Sequence, residues 1–533
     1  MNSRSRDWLL LVGFCGFLFF YGLGSFGLVG ADEPRYAQVA REMLARHDWV
    51  TPTLGGQPWL EKPPLYYWQA MLAFRLFGVS DWAARFPSAI DATLMVIAIY
   101  LFFLRFRPGA ELDAALMTVS AAGTIGFARA ASTDMPLAAM FAIALLAWYA
   151  WRQSASKICL YSAYAFLALG MLAKGPVAPF LGAMVVILFA FANRELATIR
   201  RSISIPGILI FCTISLPWYV AVQLRNPDFF HAFIVQHNLA RFSRDLYHHL
   251  EPFWYYFPVA LIALLPWTVF SLAAVVEVFR SWWIERNSTL NTEDSFNTFL
   301  LVWLLAPVLF FSISQSKLPG YILPALPAGT LLLAEYVQRH SEADHRPNLF
   351  LRGLHALAAA GLVFPALVLG QLLQHTLVWS PFAFTALGFA TVLAVGIALT
   401  LRSAAGIRML RFVTLIPVVL AVAAVLRLYA PALDDTLSAR PLAIKLAELE
   451  SKPLPVAVFH VRRETEFGLA FYRNQIIARY DSNPVPRLDH IVITPAGARD
   501  QLAQSLSGRR VVYLGSFAPQ HLDYYWVAAA PTE

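Results

Sequence analysis

Apolar runs of about 17–25 residues, each long enough to cross the hydrocarbon core of a bilayer, recur along this chain from Trp8 to about Leu426. No other feature limits the fold as strongly. Lipid offers no water to satisfy backbone N–H and C=O groups, so a spanning segment is either a helix or a strand of a closed barrel. The runs are continuous rather than alternating, which excludes the barrel. We count about 13 spans, near 8–28, 86–104, 112–130, 136–151, 158–173, 176–192, 203–222, 254–276, 297–313, 319–337, 349–372, 381–401 and 410–426. The expected fold class is an all-α polytopic membrane protein. The first run follows a short basic start (Arg4, Arg6) as a signal peptide would. It is long, however, and passes straight into a charged loop, so it reads as a retained helix.

The basic residues orient these spans. With the N-terminus in the cytoplasm, alternate loops hold Arg105/Arg107, Arg152/Lys157, Arg194/Arg200/Arg201, Arg280/Arg286, Arg339/Arg346 and Arg402/Arg408, a repeated positive-inside pattern. An odd number of spans then puts the C-terminus outside. The formal net charge of +8 is spread over these short loops and forms no single patch, so nucleic acid is not an expected partner. The three cysteines, Cys15, Cys159 and Cys212, all lie inside apolar runs and read as small core residues rather than as disulfide partners or metal ligands.

Two outer loops are long. The first, 31–85, carries Tyr36, Val39, Ala40, Met43 and Leu44 at helical spacing, as an interfacial amphipathic helix would. The second, 223–253, carries His231, His237, Arg241, Arg244, His248, His249 and Glu251. After Tyr429 the composition becomes that of a soluble domain. PVAVFHV, HIVIT and RRVVYLG are short β-type runs, and PLAIKLAELE reads as a helix. The expected division is a transmembrane domain over 1–430, including the interfacial loop, and a small α/β domain over 431–533 outside the membrane.

The stretch from Ala31 to Trp68 places Asp32, Glu33, Arg35, Glu61 and Lys62 beside the first span, in a chain only 14% charged. Such a concentration of both signs at one membrane edge suits an anionic, lipid-linked substrate. A lipid-phosphate sugar donor needs cations for the phosphate and a carboxylate near the anomeric carbon, both at headgroup depth. The outer edge supplies Arg35, Lys62, Lys174, Arg241 and Lys317 as cations, and Asp32, Glu33, Glu61 and Asp134 as carboxylates. Tyr321, beside Lys317, is placed to donate to a phosphate oxygen or to serve in an aromatic belt. Blander readings stand beside these. Arg35 and Glu42 suit the solvated face of an interfacial helix, and Asp134 suits a cap for a helix starting at Pro136. Lys174 sits in a turn from which a lysine can snorkel, whereas Pro63 and Pro64 fix the backbone directly after Glu61 and Lys62. The histidines lack zinc-hydrolase spacing, and no phosphate-cradling glycine motif is present, so soluble nucleotide chemistry is not indicated. A lipid-sugar flippase is the rival from another class, but transporters place charges near mid-membrane and show repeats, and neither is visible here.

The run DEPRYAQVAREML…DWVTPTLGGQPWLEKPPLYYW resembles the first outer loop of the aminoarabinose (4-amino-4-deoxy-L-arabinose) lipid A transferases. These are GT-C membrane glycosyltransferases related to protein O-mannosyltransferases. STDMPL, LAKGP, QHNLARF…EPFWYYFPVALIALLPW and SKLPGYILPALP look like further segments of that family in the same order. The resemblance covers roughly 30–430. It implies 13 membrane helices, a periplasmic C-terminal domain in the bacterial inner membrane, and inverting transfer from an undecaprenyl phosphate-sugar to lipid A or another envelope acceptor, with no required cofactor. By matched position Asp32 would be the central carboxylate, Arg35, Lys62 and Tyr321 would contact the lipid phosphate, and Asp134 and Lys174 would complete the cavity. The family can also hold a structural zinc, for which Glu61 with His248 or His249 would serve here. EKPP and TDMP depart from the usual family segments. The related alternative is transfer of a hexose or other sugar to protein or another envelope glycan.

Overall fold

The computed structural model describes residues 3–233, 251–284, 292–342, 347–374, 376–403, 406–482, 485–506 and 508–530. The protein is a multi-pass bundle of membrane helices with a small mixed β-sheet near its C-terminus. Among the described residues nine helices are long and apolar enough to span, from Asp81–Phe106 to Gly406–Leu428. Tyr256–Ala263 with Thr268–Ile284, bent by 117°, raises the number to ten. The remaining three runs expected from the sequence are helical but short or broken. Ser3–Cys15 passes into a π-helical turn at Gly16–Phe20, Glu111–Ser120 is followed by Ala122–Ala128, and Val177–Ala192 is 16 residues long. The middle break has a visible compensation: Ala121 is extended, and the freed Ala122 N–H donates to the Leu265 carbonyl at 2.8 Å.

Burial separates the helices by place. Asp134–Ser154 and Pro319–Glu342 are almost wholly enclosed, whereas Ile205–Arg225 and Pro381–Arg402 turn large apolar side chains outward, among them Leu209, Leu224, Phe384 and Val392. Outward-facing apolar surface of this extent matches a lipid environment, in which buried polar contacts hold the interior instead. Thr118 and Thr330 share a 2.7 Å hydrogen bond, and the Trp267 indole donates to Ser120 at 3.0 Å.

Ion pairs and hydrogen bonds divide the loops into two sides. On one, Arg107 meets Glu335, Arg152 meets Glu195, Arg339 meets Glu277 and Arg411 meets Asp113. On the other, Arg129 donates to the carbonyls of Leu18, Tyr21 and Gly22, Arg225 meets Asp48, and the Asn226 amide donates to Thr51. Among the described residues the first group joins loops and span ends expected on one face, and the second joins the outer loops expected on the other, with Arg129 reaching back to the first span.

In the first outer loop Thr53–Leu54 (β1) pairs antiparallel with Gln57–Pro58 (β2). Among the described residues the C-terminal sheet has five strands, Val456–Val458 (β3), Ala478–Arg479 (β4), His490–Pro495 (β5), Val511–Phe517 (β6) and Leu522–Val527 (β7), in the order β4-β3-β5-β7-β6. β3 runs parallel to β4 and β5, while β7 is antiparallel to β5 and β6. Helices Arg440–Leu449 and Arg463–Arg473 cover it. This unit is tied to the first outer loop. Arg440 bridges Asp81 (2.8 Å) and Asp434 (2.5 Å), and the Tyr472 hydroxyl donates to Asp81 and accepts from Leu28 N–H.

Candidate active site

Helix Asp32–Ala45 begins directly after the first span, and the charges of its first turn point to different fates. Glu33 is buried. Its two oxygens accept from Arg85 Nε (3.1 Å) and Nη2 (2.6 Å) and from the backbone N–H groups of Val29 and Ala131, both at 2.8 Å. Arg85 is 1% exposed and also donates to the carbonyls of Leu23, Phe26 and Gly27. Glu33, one of the outer-edge carboxylates in the sequence, is thus turned inward. It clamps the turn between the first span and the interfacial helix, since a buried carboxylate is tolerated where it is paired and hydrogen-bonded on both oxygens. Lys317 is turned inward in the same way. It is buried, and its ammonium donates to the carbonyls of Glu251 (2.9 Å) and Ser314 (2.6 Å), which pins a loop rather than opening toward a ligand.

Asp32 is the accessible member, with 55% of its side chain exposed. It accepts from Arg35 Nη2 at 2.5 Å, one helical turn on, and Arg35 Nη1 lies 4.0 Å from Glu61. The Arg35 guanidinium sits among the rings of Tyr36, Trp59 and Phe467, 5.2, 5.3 and 5.6 Å from their centroids. Burial opposes its charge, but Tyr36, Asp32 and Glu61 outweigh it and lift the pKa above the ordinary arginine value, so the cation is held firmly. Lys62, half-buried, follows Glu61 at the bend fixed by Pro63 and Pro64.

A second group forms where Asp134 starts its helix. Lys174, at the end of Lys157–Lys174, pairs with Asp134, and its ammonium stands 4.7 Å over the Tyr321 ring. Gly320 makes this possible, because a Cβ there would lie 2.8 Å from the Asp134 carboxyl carbon and 2.9 Å from Phe127. Tyr36 connects the groups. It is buried, and both Asp32 and Asp134 act on its phenol, which burial first and those charges second push well above the ordinary range. Asp32, Arg35, Glu61, Asp134, Lys174 and Tyr321 thus share one side of the bundle. Arg241, His248 and His249 lie outside the described residues, and with them the expected zinc site. Among the described residues no group of three metal-binding side chains is present.

Some contributors escape sequence reasoning. Phe467 belongs to the soluble-type segment, some 430 positions from Arg35, and nothing local signals that it caps this cation. A cleft of about 560 Å³ lies behind it, lined by Gln38, Glu42, Trp59, Glu466, Phe467 and Arg479 among others. Arg85, the last residue of the outer loop 31–85 as first drawn, stands instead in the first turns of helix Asp81–Phe106, where it turns inward to Glu33.

In chemical terms the site offers fixed cations, phenols that remain protonated and a solvent-reachable carboxylate at the membrane edge. Residues 61–220 match the family described as dolichyl-phosphate-mannose-protein mannosyltransferase. The chain is 33% identical over 354 residues to the undecaprenyl phosphate-alpha-4-amino-4-deoxy-L-arabinose arabinosyl transferase of Aeromonas hydrophila. That match covers 64% of the chain and 63% of the relative, less than two thirds of its length. The same-named enzyme of Pseudomonas paraeruginosa is 32% identical over 406 residues, covering 74% of the chain and 70% of the relative. Among solved structures, ArnT from Cupriavidus metallidurans bound to undecaprenyl phosphate superposes with a TM-score of 0.76 over 100% of both chains at 21% identity, a likeness of fold.

Proposed function

Because the chain belongs to the undecaprenyl phosphate-alpha-4-amino-4-deoxy-L-arabinose arabinosyl transferase family, we propose that it moves 4-amino-4-deoxy-L-arabinose from undecaprenyl phosphate to lipid A at the periplasmic face of a bacterial inner membrane. The observation that carries this reading is the convergence of Asp32–Arg35–Glu61 with Asp134–Lys174–Tyr321 on one side of the helix bundle.

In this reading the lipid tail lies along the helices and the phosphate meets Arg35, Lys62 and Tyr321. An acceptor oxygen attacks the anomeric carbon on the face opposite the phosphate. The bond to the phosphate oxygen breaks, its electron pair leaves with undecaprenyl phosphate, and the configuration inverts. Arg35 and Lys62 stabilise the charge that gathers on the departing phosphate, and a pre-aimed contact of this kind is worth about 100-fold or more in rate. Asp32, exposed yet anchored by Arg35, orients the acceptor. Asp134 fixes Lys174 beside Tyr321 and so shapes the far wall.

Mass spectrometry of envelope lipids tests the proposal in cells that lack the gene, carry it, or carry Asp32→Asn. An aminopentose on lipid A that depends on both the gene and Asp32 is the expected result. Unmodified lipid A with accumulating undecaprenyl phosphate-sugar would move the acceptor to protein or another glycan.

A further inference from the structure

The cleft of about 560 Å³ beside Arg35 takes no part in the reaction as drawn above. Every described residue lining it comes from the first outer loop or from the C-terminal domain, and none from a membrane span. Arg41 ties the two walls together, donating to the Phe471 carbonyl at 2.8 Å. The cleft adjoins the reacting groups, because Trp59 and Phe467 both line it and pack on the Arg35 guanidinium. Its volume lies within the ~300–1,000 Å³ of ordinary small-molecule sites. Its charges narrow what it can hold. Glu42 is engaged by the β1–β2 hairpin, accepting from Thr53 Oγ1 and from the Gly55 N–H, both at 2.8 Å. Glu466 and Asp481 both pair with Arg479, at 2.5 and 3.2 Å. Arg463, exposed at the rim, forms no ion pair among the described residues. The acids are therefore matched by fixed partners, and one cation is left over. A lining of aromatic rings, amides and charged groups with that surplus suits a hydroxyl-rich saccharide bearing phosphate. A polyprenyl chain would need an apolar groove instead.

We propose that this cleft seats the phosphorylated sugar headgroup of the acceptor glycolipid, with Arg463 on a headgroup phosphate and Trp59 and Phe467 against its sugar rings. This rests on the function proposed above. It gives the C-terminal domain a task, since Phe467 and Arg463 belong to its helix Arg463–Arg473. That helix holds the acceptor next to Arg35 and Asp32, while the donor's phosphate is held by the bundle.

The test uses the purified full-length protein in lipid nanodiscs, with undecaprenyl phosphate-aminoarabinose as donor and lipid A as the varied acceptor. Initial rates and thermal midpoints are measured for the wild type, Arg463→Glu, Ile476→Trp and Arg462→Gln. Ile476 lines the cleft and is 71% exposed, so a larger side chain there obstructs the cleft without disturbing the core. Arg462, one position outside the lining, is the control. Arg463→Glu and Ile476→Trp are each expected to raise the KM for lipid A about tenfold or more, with kcat, donor KM and midpoint near wild type. Arg462→Gln should match the wild type. A lipid A KM unchanged in either cleft variant, or raised as far in Arg462→Gln, would overturn the assignment and leave the proposed function standing, since the wild type still transfers the sugar. A wild type that transfers nothing to lipid A would bring both down.

Discussion

Neighbouring acids at the start of one helix do opposite work here, and substitution separates them. Glu33 and Arg85 form a buried, doubly bonded pair. Removing one member strands the other's charge, at a cost of about 3–5 kcal/mol. Glu33→Ala is therefore expected to lower the thermal midpoint and the folded yield in detergent. Asp32→Asn, at an exposed position, should leave the midpoint near wild type and lower turnover about 100-fold. Equal stability in the two variants would refute the division. Gly320→Ala offers a finer probe, since the added methyl meets the Asp134 carboxyl. We expect a folded protein with turnover reduced at least tenfold as Asp134 and Lys174 part, read by activity alongside an unchanged melting curve. Sequence alone marks Asp32, Arg35, Asp134 and Lys174 as charged and, with Tyr321, as near the membrane edge, and the structure places all five on one side of the bundle. Sequence cannot tell a carboxylate that faces solvent from one that meets two backbone N–H groups and a guanidinium, because those partners come from positions 29, 85 and 131. The burial of Lys317 against the Glu251 and Ser314 carbonyls is likewise absent from the local sequence pattern.

At the level of elements, hydrophobic length predicts helix existence well and continuity poorly. Every apolar run became helical, yet 111–128 is divided at Ala121, where the Leu265 carbonyl, in the bend between Tyr256–Ala263 and Thr268–Ile284, replaces the lost intrahelical partner. Three of the five C-terminal strands carry a visible β pattern in the sequence. β4 is only two residues long, and β7 is the antiparallel partner that joins β5 to β6. Within this sheet His490 carries a pH dependence. It is buried, its Nδ1 faces the Leu488 carbonyl at 2.7 Å and so bears the proton, and its Nε2 accepts from Tyr480. Burial lowers its pKa below the ordinary value of 6.5, so between the folded and unfolded values the unfolded chain binds more protons. The stability it contributes is present above pH 6.5 and is lost as pH falls toward the folded value. Hydrogen exchange at His490–Pro495 should accelerate between pH 7 and 5, and His490→Asn should flatten that dependence. An equally steep profile in the variant would place the sensitivity elsewhere.

For the whole molecule the question is which side faces which compartment. Among the described residues the ion pairs divide the loops into two sets that do not mix. Arg107–Glu335, Arg152–Glu195 and Arg411–Asp113 lie in one, and Arg225–Asp48, Arg440–Asp81 and Lys174–Asp134 in the other. The first set holds the arginine-rich short loops, and a membrane retains such loops in the cytoplasm. The candidate site and the sheet would then be periplasmic, which the proposed chemistry requires. Single cysteines decide it, in a chain whose Cys15, Cys159 and Cys212 are replaced by serine. Gln57 is exposed on the two-stranded hairpin held by Glu42, and Ser403 is exposed at the end of Pro381–Arg402. A membrane-impermeant maleimide should label Gln57→Cys in intact spheroplasts and Ser403→Cys only after permeabilisation. The reverse pattern would put Asp32, Arg35 and Lys62 in the cytoplasm. A bundle of the same fold would then face the wrong pool of lipid-linked sugar, and the proposed transfer would be untenable whatever the geometry of its site.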